Sequence, residues 1–160
     1  MTRVRAIVCT RLLSALVVSA AASVSGCGGA RSAVTNSAHV SQAPAALLGA
    51  FTDDYGGRYR ITSTAWQHGT RNRYDVVAWY PDSQFVIARN AETNPTDGGM
   101  WTRIDWMPLE GMAPYTWAFC LSAYKAPTRE AAQATQVANR GTPRTGCSGF
   151  PFSRMQRVSE

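Results

Sequence analysis

The chain has 160 residues, 45% of them hydrophobic and 16% charged, which leaves room for one domain and excludes a multidomain assembly. Five Trp, six Tyr and five Phe carry enough apolar surface to offset the entropy of ordering roughly a hundred residues, so a wholly disordered chain is excluded too. The formal charge is +6, yet three of the 16 basic residues fall in the first 26 positions and all 10 acidic ones come later. The remainder is 13 basic against 10 acidic residues, a net of +3 that gives no ground for nucleic-acid binding.

Positions 1–11 carry Arg3, Arg5 and Arg11, and positions 12–24 form a run of Leu, Ala, Val and Ser. A charged segment followed by an apolar one is the order of a secretory signal, and 13 residues are too few to span hydrocarbon. The next residues, Val24-Ser25-Gly26-Cys27, resemble the lipobox of bacterial lipoproteins. That resemblance implies a signal peptide over 1–26, cleavage before Cys27, and a thioether-linked lipid with palmitate-type acyl chains on the Cys27 thiol. Gly28 after it resembles the sorting pattern that sends Gram-negative lipoproteins to the outer membrane. The expected location is the cell envelope, with the membrane as partner through the lipid.

Of the four cysteines, Cys9 leaves with the signal and Cys27 takes the lipid, so Cys120 and Cys147 remain in an oxidising compartment and are expected to form a disulfide. A two-Cys metal site is the alternative, but no His or further Cys lies at ligand spacing from either, so no metal and no cofactor is expected. Positions 28–46 hold no aromatic residue and no sustained apolar period. They read, with Cys27, as a flexible tether of roughly 25 Å reach, leaving 47–160 as a single β-rich domain.

From Phe51 onward apolar residues recur with period two in short runs broken by Gly, Pro, Asn and Asp, the pattern of antiparallel strands. The turn Asp53-Asp54-Tyr55-Gly56-Gly57 precedes a strand at 58–66. Further strands are read at 73–80, 84–90, 100–107 and 115–124, with a possible sixth around Phe150 to Met155. Connections this short predict a meander. Thr128 is placed to cap one helix, which TREAAQATQVAN would form up to a stop at Gly141. The fold class is therefore mainly β: a small antiparallel meander sheet or barrel of five to six strands with one short helix.

A three-residue turn at Pro81, Asp82 and Ser83 would set Trp79 against Phe85, Val77 against Ile87 and Asp75 against Arg89 on one face. On 100–107, Trp101, Arg103, Asp105 and Met107 share a side. Arg103 and Asp105 read first as an ion pair that fixes strand register, extended by Arg89 and Asp75. They read second as polar fixtures of an apolar pocket, which makes Arg89, Trp101, Arg103 and Asp105 the ligand-binding candidates. No residue is assigned a catalytic role: His68 reads as a solvated turn residue, Asp53 and Asp54 as turn caps, and the 94–99 loop as ordinary turn chemistry.

The ordered set Tyr55-Gly56-Gly57, Trp66, Val86 to Asn90, Trp101 to Trp106, Trp117 to Cys120, Tyr124 and Cys147 to Phe150 resembles a group of small secreted or lipid-anchored bacterial proteins of uncharacterised function, over about 51–155. A more distant likeness is to lipocalin-type barrels, whose Gly-x-Trp opening has Gly57-Arg58-Tyr59 in its place. The expected function is that of a non-enzymatic envelope lipoprotein whose domain binds a small ligand or a protein partner. Two alternatives stand beside it: an envelope hydrolase using His68 with a carboxylate such as Asp105, and a structural or assembly lipoprotein with no cavity.

Overall fold

The computed structural model describes residues 41–159. The signal segment, Cys27 and the tether up to position 40 lie outside the described residues. The described chain is mainly β, as the alternation predicts, but it has eight strands rather than five or six. β1 (Gly49–Asp53), β2 (Arg58–Ile61), β3 (Ala65–His68), β4 (Asn72–Tyr80), β5 (Phe85–Asn90), β6 (Trp101–Pro108), β7 (Tyr115–Ala126) and β8 (Ser153–Arg157) pair antiparallel in chain order. β8 returns to β1, so the meander is a closed barrel without a continuous exposed edge.

Two local features account for the extra strands. The expected strand at 58–66 is two, because the chain reverses at Thr62, whose hydroxyl accepts from the Ala65 and Thr64 amides at 3.0 and 3.3 Å. The reversal changes parity: Tyr59 and Ile61 point inward before it, Trp66 and His68 after it, so one period-two pattern does not carry across the break. β1 was hidden because it has one large apolar residue, Phe51, fully buried in the core.

Gly49-Ala50-Phe51 opens the first strand, and Gly57-Arg58-Tyr59 runs from a turn into β2. The Arg157 guanidinium lies 4.7 Å from the Phe51 ring centre and donates to the Leu48 and Ala46 carbonyls at 2.9 and 3.3 Å. Gly49 has φ +124°, and a Cβ there would meet Arg157 Nη1 at 2.4 Å, so the position requires glycine. The 3-10 turn Ala45–Leu47 buries Leu47 in the core at this end. Ser41 bridges to Trp79 and Ala43 packs on the core.

The β4–β5 hairpin departs from its expected register in one place. Asp75 pairs with Arg89 and Val76 with Ala88 as predicted, but beyond a bulge at Val77 the pairs are Ala78 with Ile87, Trp79 with Val86 and Tyr80 with Phe85. The turn has four residues, not three: the Gln84 amide donates to the Pro81 carbonyl at 3.1 Å, and Gln84 takes φ +54°. The bulge absorbs the added residue and changes which side chains share a face. Trp79 joins the interior with Val86 and Ile104, while Phe85 and Ile87 stay outside.

That outer face is covered by α1 (Arg129–Gln133) and the chain after it. Thr128 caps α1 as expected, its hydroxyl accepting from the Ala131 amide at 3.1 Å. The helix ends at Gln133 instead of running to Gly141. Tertiary contacts override its helical propensity: Ala138 docks with Ala118, Cys120 and Phe152, and Arg140 donates to the Trp106, Ser83 and Gln84 carbonyls at 2.9, 3.1 and 2.8 Å. The expected disulfide joins Cys120 on β7 to Cys147 with Cα atoms 5.5 Å apart.

Candidate functional site

The barrel is sealed at one end by Leu47 and Arg157, and its other end, formed by the β1–β2 and β3–β4 turns and the chain entering β8, holds a cavity of about 450 Å³. Inward-pointing residues of four strands form its walls: Tyr59, His68, Tyr74 and Phe119, with Trp66 beneath. Tyr55 and Phe150 stand at the rim, 70% and 71% exposed. The rings are mutually ordered. His68 stacks on Tyr59 at 4.4 Å and 13°, and Phe119 meets Tyr59 and Trp66 edge-on at 5.5 and 5.3 Å, the offset and T-shaped geometries that aromatic quadrupoles favour. Leu121, Pro151, Ser153 and the disulfide complete the lining.

Asp53 fixes one wall. Its carboxylate accepts from the Tyr55 and Gly57 amides at 3.0 and 2.6 Å and from the Tyr59 hydroxyl at 2.8 Å, so the turn-capping role read from the sequence extends to orienting a ring of the cup. Gly57 is needed here, since a Cβ would stand 2.9 Å from Asp53 Oδ2. Its neighbour Asp54 pairs with Arg154 at 2.7 Å, tying the β1–β2 turn to β8.

Burial, and then the hydrogen bond to Asp53, push the Tyr59 hydroxyl far above its ordinary range. Burial, then the Asp97 carboxylate, raise Tyr74. A tyrosine that ionises near pH 10 when unfolded and higher when folded stabilises the fold fully below about pH 10, and that contribution falls as pH rises above it. Thermal unfolding followed from pH 8 to 11.5 is therefore expected to show a falling midpoint above pH 10, with a shallower fall in Tyr59→Phe. At pH 8 the variant is less stable by about 1.5–3 kcal/mol, because Asp53 loses a donor to its charge. Parallel curves for the two proteins above pH 10 would contradict this reading.

The four residues singled out from the sequence lie elsewhere, on the outer face of the wall. Arg103 grips Asp105 with two bonds of 3.0 Å, sends Nη1 to the Gln133 carbonyl at 2.8 Å, and covers the Phe85 ring at 3.9 Å. Asp105, fully buried, also accepts from Arg140 at 3.1 Å and from the Ser122 hydroxyl. The cluster fastens the α1 layer to the barrel, the structural reading of the pair. Trp101 packs beside Phe85, Ile87 and Ala132. Arg89 pairs with Glu92 at 3.1 Å, while Asp75, opposite it in the ladder, pairs with Arg73 at 2.8 Å, so the expected extension through Arg89 and Asp75 does not form.

His68 is not the solvated turn residue expected: it ends β3, half-buried inside the cup. Asp105 faces out beyond the wall, so the two are not brought together. His68 and the Tyr74 hydroxyl have no hydrogen-bond partner among the described residues, whereas the nearby inward Asn90 and Thr102 are bonded to each other and to the Tyr124 carbonyl. The Asn94 loop is held by both amide atoms of Asn94 on the Arg73 backbone, at 2.8 and 2.9 Å. Among the described residues no three His, Cys, Asp or Glu side chains converge to hold a metal, and none of their helices is long and apolar enough to cross a membrane.

Tyr59, Trp66, Tyr74, Phe119 and Phe150 are the site residues that sequence reasoning missed. The available signal was the inward parity of Tyr59, Trp66 and Tyr74 on three successive strands, concealed by the Thr62 reversal. In comparisons with known proteins the chain matches no protein family, no curated protein and no solved structure.

Proposed function

We propose that this protein is a lipid-anchored envelope lipoprotein, moored through Cys27 and, in a Gram-negative cell, carried on the outer membrane, whose barrel mouth binds a small molecule without transforming it. The observation that carries the reading is the ring-lined cup set over a sealed and packed floor. A closed eight-stranded barrel is just wide enough to be filled by its own side chains or to hold one small ligand, and a largely apolar concavity with a few free polar groups is the usual form of such a site. Binding is favoured over hydrolysis because His68 stacks on Tyr59 with no carboxylate in hydrogen-bonding contact.

Protein taken from its native envelope and extracted with organic solvent should release a small molecule in near-equimolar amount. Ser153→Trp, which fills the cup, should release far less. An empty wild-type protein, or equal release from both, would count against the cup. A radiolabelled palmitate chase addresses the anchor: wild type takes the label and Cys27→Ser does not, and equal labelling would reject lipidation at this position.

A further inference from the structure

We propose that the ligand of the cup is a compact, flat, ring-bearing molecule that carries no negative charge, an inference that rests on reading the cup as the binding site.

Shape gives the first argument. Below Trp66 and Phe119 the barrel is filled by Phe51, Ile61, Trp117 and Met155, all buried in one continuous cluster. No channel continues downward to take an extended acyl chain, and about 450 Å³ lies toward the small end of the roughly 300–1,000 Å³ of drug-sized sites. Ring faces and edges surround this volume, and a flat aromatic or polycyclic guest gains both area burial and quadrupole-matched contacts against them.

Charge gives the second. No Asp, Glu, Lys or Arg lines the cup. The carboxylates of Asp53 and Asp54 act on Tyr59, and that of Asp97 acts on the partly buried Tyr74. An anion entering would lose its hydration without gaining a Lys or Arg counter-charge. The groups left to orient a guest are few. The hydroxyl of Tyr74, which is in register with Trp66, is a donor, and the imidazole of His68, nearer the end of β3, offers a second polar contact. A hydroxyl or carbonyl at the edge of a ring satisfies both.

The test is calorimetric titration of the folded, disulfide-bonded protein with three probes: 2-naphthol (flat and neutral), naphthalene-2-sulfonate (the same rings with an anion) and 1-decanol (neutral and extended). Each titration is repeated on Phe150→Ala, which trims an exposed rim residue, and on Ser153→Trp. The expected result is saturable binding of 2-naphthol, at least tenfold tighter than either other probe, and weakened at least threefold in both variants. If the sulfonate or decanol binds as tightly as 2-naphthol and is weakened by the same variants, the cup stands as a binding site and the ligand class falls. If no probe shows binding that the variants weaken, the binding-site reading falls and the ligand class with it.

Discussion

Replacing Asp105 with Ala should lower the unfolding free energy by about 3–5 kcal/mol, since it strips a buried charge of its partner. Arg103 is 3% exposed, and two of its bonds go to that carboxylate, so its guanidinium would be left buried with only the Gln133 carbonyl and the Phe85 ring. Arg140 loses its ionic partner as well, which loosens the strap that holds the chain after α1 across β5 and β6. Chemical denaturation checks the magnitude. The double variant Arg103→Met/Asp105→Leu should recover most of the loss, because desolvating two charges offsets much of what their attraction contributes. A loss under 1 kcal/mol in Asp105→Ala would mean that the cluster does not fasten the outer layer.

The second large effect belongs to the disulfide. Cys120 and Cys147 are 27 positions apart, and closing a loop of that length stabilises by roughly 3–4 kcal/mol in the chain-entropy account. Cys120→Ser/Cys147→Ser should therefore unfold at lower denaturant by about that amount, and wild type in dithiothreitol should match it. The cup should be affected too. Cys147 and Phe150 form an isolated bridge, and without the bond to β7 the segment that presents the Phe150 rim loses its fixed point. Equal stability of wild type with and without reductant would contradict both consequences.

How far the sequence revealed the fold depended on whether the relevant signal was local. The disulfide, the Thr128 cap and most strand positions were legible, because cysteine chemistry, capping and period-two alternation act over a few residues. A barrel was one of the two architectures the sequence allowed, but its eight-strand count was not legible, since it depends on a reversal at Thr62 and on a five-residue β1 with a single large apolar side chain. The short helix escaped for the opposite reason: its composition favours a longer helix, but Ala138 and Arg140 are held elsewhere by contacts with residues distant in the chain, such as Ala118 and Trp106.

The site was harder to read than the fold. A single β4–β5 bulge moves Trp79 inward and leaves Phe85 outside, and the Thr62 reversal shifts the inward set from odd to even positions. On β6 the alternation correctly put Arg103 and Asp105 on one face, but nothing local says that this face is the outer one. The rings that converge on the mouth come from β2, β3, β4 and β7 and from the chain before β8, positions that only closure of the barrel brings together.

The most direct measurement is a set of intermolecular nuclear Overhauser effects between bound 2-naphthol and the isotope-labelled protein. Binding inside the mouth requires cross-peaks from the naphthol protons to the Leu121 methyls and to the ring protons of His68 and Phe119. Cross-peaks to Trp101 and Phe85 on the outer wall, with none to Leu121 or His68, would contradict the account.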